Sequence, residues 1–194
     1  MEIRAKNLRV YLKSLEASDA GEMAKNADND EIAYCIGRSG EFPHPYTKEA
    51  ALSFIEDAAR KYDEKSAFHF GIRLNGGALI GACGAHTIDY NNVRGEIGYW
   101  LGRAYWGKGY AKEALTLLLG FCFNSLRLNK VSVTVLAFNE RSINLLHSLN
   151  FAKEGTLRQN TLHGDVFVDD IVFSMLKHEY DVSANASASI ETTE

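Results

Sequence analysis

Residues 95–136 limit the architecture of this chain more than any other segment. Residues 95–101 and 130–136 both read as strands, the second strongly β-branched through Val131, Val133, Thr134 and Val135. Between them, a short loop carrying Gly107 and Gly109 opens a helical stretch over 110–125. On that stretch Ala111, Ala114, Leu115, Leu118 and Cys122 fall at i, i+3, i+4, i+7 and i+11, which makes one apolar stripe for packing on a sheet. Two strands joined through such a crossover helix lie parallel.

The flanking segments add antiparallel pairs and further helices. Residues 8–13 alternate as a strand, and Ser18-Asp19-Ala20 caps a helix running to about Ala27. A loop with Gly37, Gly40 and Phe42-Pro43-His44-Pro45-Tyr46 follows, and Thr47 caps a helix to about Tyr62. Residues 68–74 and 78–88 form a hairpin across Asn75-Gly76-Gly77. Residues 139–149 read as an amphipathic helix, and 153–160 pairs with 166–176 around His163-Gly164. The expected fold is α/β, or α+β, with a mixed sheet and helices on its faces. One domain should span residues 1–180, and 181–194, rich in Ser, Ala, Thr and Glu without an apolar period, should be a disordered tail.

Composition excludes several classes of function. Three widely spaced cysteines, Cys35, Cys83 and Cys122, suit neither a disulfide framework nor a thiolate metal site, and they read as small core residues. The histidines show no metal-ligand spacing, so no metal is expected. The net charge of −4 offers no footprint for nucleic acid. The start has no apolar signal segment, and no stretch is long and apolar enough for a membrane span, so a cytoplasmic protein is expected.

The loop before residue 110 carries the chemistry. A helix N-terminus leaves backbone N–H groups without helical partners; these and the positive end of the helix dipole attract an anion, and glycines let a phosphate approach closely. Lys108 and Lys112 can add local charge. A Gly-x-Gly before a helix is also often only a tight turn. It is not a P-loop, because no Gly-Lys-Ser/Thr follows, and Lys112 stands where a dinucleotide fingerprint has its third glycine.

The run Glu96-Ile97-Gly98-Tyr99-Trp100-Leu101, followed by Trp106-Gly107-Lys108-Gly109-Tyr110-Ala111-Lys112-Glu113-Ala114, resembles motif A of the GNAT family of N-acetyltransferases. The form is that of its RimJ/RimL-like, ribosomal-protein N-terminal acetyltransferase branch. Trp106 stands where the wider family has Gln or Arg, although an aromatic there is similar to the branch. Further resemblances lie at residues 8–13 with Asp19-Ala20, at 43–47, at Asn139-Glu140-Arg141-Ser142 with Asn150-Phe151, and at Asp169 before Phe173-Ser174. Together they cover about residues 8–178.

The resemblance implies a central sheet of about seven strands, with acetyl-CoA wedged between two splayed parallel strands. On that pattern Trp100, Leu101 and Gly102 offer groups to the pantetheine amides. Trp106, Gly107, Lys108, Gly109, Tyr110 and Ala111 hold the pyrophosphate, and Asn139 contacts the pantetheine arm while also capping its helix. Glu96 stands where many members carry a general base, though an ion-paired strand carboxylate is the plainer reading. Leu146 stands where much of the family has the tyrosine that protonates the departing thiolate; the RimJ/RimL-like branch has a serine proposed for that role at the place of Ser142, so the resemblance implies Ser142, otherwise a capping residue, as donor to the sulfur. His44 either lines the acceptor site or lies on the surface.

The resemblance implies transfer of acetyl to a primary amine, foremost a protein N-terminal α-amine. A small amine, such as an amino acid, polyamine or antibiotic, and a coenzyme-binding module without catalysis are the other readings. A monomer or homodimer is expected.

Overall fold

The computed structural model describes residues 1–36, 42–184 and 190–193. Among these, nine strands form one sheet: β1 (Glu2–Ala5), β2 (Val10–Ser14), β3 (Phe68–Leu74), β4 (Leu79–Asp89), β5 (Arg94–Leu101), β6 (Lys130–Leu136), β7 (Ala152–His163), β8 (Val166–Leu176) and β9 (Ile190–Thr193). Their order is β7-β8-β6-β5-β4-β3-β2-β1-β9. The β5–β6 pair is parallel, as a crossover requires, and the other neighbours run antiparallel.

The helices are α1 (Ala20–Ala27), α2 (Asp30–Ile36), α3 (Lys48–Asp63), α4 (Tyr110–Gly120), α5 (Glu140–Ser148) and α6 (Lys177–Ala184). On one side α4 packs Ala114, Leu115 and Leu118 with Phe70, Ile80 and Val131. On the other, Ala20, Met23, Ala51 and Ile55 of α1 and α3 pack with Leu79 and Ala82. Leu79 and Ile80 are consecutive on β4 yet join different clusters, because successive strand side chains point to opposite faces. The sheet is therefore covered on both sides.

Four features depart from the sequence reading. Helix α4 stops at Gly120, and a wider turn over Phe121–Ser125 follows, closed by a bond from Leu126 N–H to Phe121 O. This i→i+5 turn buries Phe121, Cys122 and Phe123 consecutively, which a single α-helical stripe does not allow. The segment expected as loop contains α2, which starts where Asn29 Oδ1 accepts from the N–H groups of Glu31 (3.0 Å) and Ile32 (3.2 Å). Gly37 and Gly40 of that loop lie outside the described residues. At the far edge, β1 and β9 extend the expected seven strands to nine. The tail expected to be disordered enters α6 through residue 184 and supplies β9; β1 exposes an edge with open hydrogen-bonding groups, and Ile190-Glu191-Thr192-Thr193 satisfies it in register.

Candidate active site

β5 and β6 are paired only at Arg94↔Lys130, Gly95↔Val131 and Glu96↔Ser132, and beyond this they part. Which backbone groups face the gap follows from the pleat. Gly102 donates its N–H to Ile80 O (2.8 Å), which sets the phase of the β4–β5 ladder. Trp100 and Gly98 then bond with Ala82 and Gly84, while the backbone groups of Tyr99 and Leu101 face β6. On the opposite wall, Ala137 donates to Asp169 O (2.9 Å), so the odd-numbered residues of β6 bond to β8, and Thr134 and Leu136 face the gap.

A cavity of about 830 Å³ fills this gap. Its walls include Glu96, Tyr99, Trp100, Leu101, Trp106, Gly107, Gly109, Tyr110, Ala111, Asn139 and Ser142. Two positions anticipated for the coenzyme stand apart from it. Gly102 is absent from the lining and gives its N–H to β4, so the backbone groups offered to the gap are those of Tyr99 and Leu101 rather than Trp100 and Gly102. Lys108 is absent as well; its ammonium lies over the Tyr105 ring (5.8 Å). Trp106 is part of the wall, and its indole N–H donates to Leu101 O (2.7 Å).

At one end of the cavity, Gly107 (φ 72°) and Gly109 (φ 83°) adopt left-handed backbone that other residues take at a cost. Gly109 begins α4 without any side-chain cap, and the first helical bond runs from Glu113 N–H to Gly109 O (3.2 Å). The N–H groups of the first turn are thus left for an anion.

Near the middle, the Tyr99 hydroxyl lies 2.7 Å from Ser142 Oγ. Burial pushes the Tyr99 phenol up to about 12, partly opposed by the bond to Ser142, so it stays protonated at neutral pH. Asn139 caps α5 by accepting from Ser142 N–H (3.2 Å), which fixes the serine at the first turn. Leu146, at the usual tyrosine position, is fully buried in the core. Glu96 lines the cavity where the strands part, opposite His86 of β4.

Residue patterns alone missed Tyr99, Cys35, Arg103 and Arg141, all on the cavity wall. Glu31 of α2 bridges Arg103 (2.7 Å) and Arg141 (3.3 Å), and both guanidinium groups lie over the Trp106 ring. This ties α2 across the cleft. Asn29 before Asp30-Glu31 was the available signal for α2, but nothing local pairs Tyr99 with Ser142. Cys83 and Cys122 are buried core residues, whereas Cys35 lines the cavity. His44 engages Asp28 (3.3 Å) and Asp30 (2.6 Å) on the surface. Among the described residues, no group of three or more His, Cys, Asp or Glu is placed to hold a metal ion.

A family profile described as "Acetyltransferase (GNAT) domain" matches residues 9–152. The chain belongs to the GNAT acetyltransferase family. It is 48% identical over 173 residues to the uncharacterized N-acetyltransferase p20 of Bacillus licheniformis, covering 89% of this chain and 95% of that protein. It is 26% identical over 138 residues to the [Ribosomal protein uS5]-alanine N-acetyltransferase of Escherichia coli, covering 68% of each. Among solved structures, Mycobacterium smegmatis RimJ in complex with CoA-disulfide superposes with a TM-score of 0.83 at 20% identity, covering 95% of this chain and 93% of that one.

This GNAT protein is therefore an acetyl-CoA-dependent N-acetyltransferase. The cleft fits an extended thioester with an anionic end: inward backbone groups run along it, and uncapped N–H groups with two left-handed glycines close one end.

Proposed function

We propose that this GNAT enzyme acetylates protein N-terminal α-amines of the ribosomal-protein type, with Glu96 collecting the amine proton through water and Ser142 donating to the departing sulfur. Acetyl-CoA supplies a carbon open to attack and a sulfur that leaves with the bonding electron pair. The mechanism rests most on the Tyr99–Ser142 hydrogen bond on the cavity wall. Either hydroxyl can donate in this bond; with the protonated Tyr99 phenol as donor to Ser142 Oγ, the serine's own hydrogen is free to point at the sulfur. In this role Tyr99 takes the place of the absent tyrosine at position 146. Glu96 supplies the carboxylate, and the loop of residues 106–111 holds the pyrophosphate. Asn139 contacts the pantetheine arm from the head of α5.

Charge supports the choice of acceptor. Among the described residues, the cavity wall carries one carboxylate, Glu96, against the cations Lys112, Arg103 and Arg141, the last two paired with Glu31 beside the wall. That balance suits an anionic coenzyme and an acceptor of low charge, and disfavours a polyamine. At pH 7, deprotonation costs an α-amine about 1.2 kcal/mol and a lysine about 4.6 kcal/mol, so a single water-mediated base is adequate for the former and is asked for about 3.4 kcal/mol more by the latter. The resemblance to the uS5-alanine enzyme points the same way.

The test is mass mapping of peptides that carry both a free N-terminus and an internal lysine, with spermidine and free amino acids as competitors. Acetylation should fall on the α-amine. Glu96→Gln should lower the rate about a hundredfold at pH 7 and recover as pH rises past the amine pKa near 8. Modification chiefly of lysines or of the small amines would overturn the reading.

A further inference from the structure

Arg9 lies just before β2, 99 residues from Lys108 in sequence, and it is not part of the cavity wall. It nevertheless engages two residues of the 106–111 segment proposed for the pyrophosphate, Lys108 and Tyr110, and Glu113 just beyond it. A terminal guanidinium nitrogen donates to Lys108 O (2.8 Å). The guanidinium lies over the Tyr110 ring, 4.7 Å from its centroid. The Arg9 Nε (2.6 Å) and backbone N–H (2.7 Å) both donate to the Glu113 carboxylate, with a further ion pair from the guanidinium.

We infer that Arg9 is a positioning residue for the coenzyme phosphates, a buckle that orients the loop and neutralises Glu113 without touching the reacting atoms. Two physical effects carry this. The peptide bond is planar and trans, so holding Lys108 C=O toward Arg9 turns the Gly109 N–H to the opposite side of the loop. Arg9 is not on the cavity wall and Gly109 is, so that opposite side is where a phosphate would approach. The second effect is electrostatic. Glu113 sits in the first turn of α4, where an unpaired carboxylate would repel the same phosphates that the helix terminus attracts. Paired through a planar fork, its charge is offset, and the pair joins β2 to α4.

The inference rests on the proposed assignment of the loop to the pyrophosphate, and calorimetric binding of acetyl-CoA without acceptor tests both. Arg9→Ala should weaken binding about tenfold and raise the KM for acetyl-CoA, while kcat at saturation stays within about twofold. The KM for S-acetylpantetheine, which lacks the phosphates, should not change. Arg9→Lys should recover only part of the loss, because an ammonium cannot make the forked contact. Adding Glu113→Gln to Arg9→Ala should restore part of the affinity, and the Arg9→Ala defect should shrink at high salt. If Arg9→Ala does not fold, Arg9→Lys and Glu113→Gln carry the same comparison between acetyl-CoA and S-acetylpantetheine. Unchanged affinity in the Arg9 variants, or equal losses for both donors, would overturn the inference. Gly109→Val separates the two ideas: if it binds as well as wild type, the loop assignment itself fails, whereas a Gly109→Val loss beside unaffected Arg9 variants refutes only the buckle.

Discussion

Ser142 and Tyr99 are 43 residues apart in sequence and meet at 2.7 Å because α5 begins beside the unpaired stretch of β5. If Tyr99 serves only to aim Ser142 at the sulfur, the two side chains act as one unit. Tyr99→Phe and Ser142→Ala should each lower kcat about tenfold with little change in the KM for acetyl-CoA, since the interaction forms mainly as charge develops on sulfur. The double variant should be no worse than the poorer single one. Multiplying losses would show that the two hydroxyls act separately. The Tyr99 phenol is pushed up to about 12 by burial, so its donation should persist to the top of the practical pH range, and no tyrosine limb should appear in the rate profile below that point.

At the scale of elements, the head of α5 joins stability to the site. Asn139 accepts from Ser142 N–H, and its amide nitrogen reaches Cys35 O (3.4 Å) at the end of α2. Asn139→Ala removes both contacts and should cost about 1 kcal/mol, which lowers the melting temperature by about 2–4 °C in a domain of this size. Asn139→Asp keeps the capping acceptor but cannot donate to Cys35 O, so its melting temperature should stay near wild type. Equal losses in the two variants, measured by scanning calorimetry, would mean that the tie to α2 rather than the cap holds this corner together.

For the whole molecule, the clearest pH-dependent contribution to stability is His69 on β3, whose ring meets Phe54 of α3 at 5.3 Å. Burial, assisted by the charges of His86 and Lys61, lowers its pKa from 6.5 to about 4. The unfolded chain takes up a proton near 6.5 and the folded chain resists until about 4, so this contribution is complete above 6.5 and is lost as pH falls through that window. The loss amounts to about 3 kcal/mol once the pH is below both values. His69→Gln should flatten the fall in unfolding free energy between pH 7 and pH 4 relative to wild type. An identical pH dependence in the variant would assign the acid sensitivity to other groups.

The sequence by itself determined what depends on neighbours along the chain. The helical stripe of α4, the glycines at 107 and 109, the caps at Thr47 and Asn139, and the crossover that makes β5 and β6 parallel are all local or set by one connection. Only the tertiary structure decided where β5 and β6 part, because three paired registers followed by a gap result from packing on both faces rather than from any residue pattern. The phase of the β4–β5 ladder was equally hidden, and it turned the backbone of Tyr99 and Leu101, rather than of Trp100 and Gly102, toward the gap. The same holds for the edge strands β1 and β9, for Tyr99 against Ser142, and for Arg9 against Lys108 and Glu113. Each joins residues far apart in the chain, and such contacts exist only once a sheet of fixed order and register has brought them together.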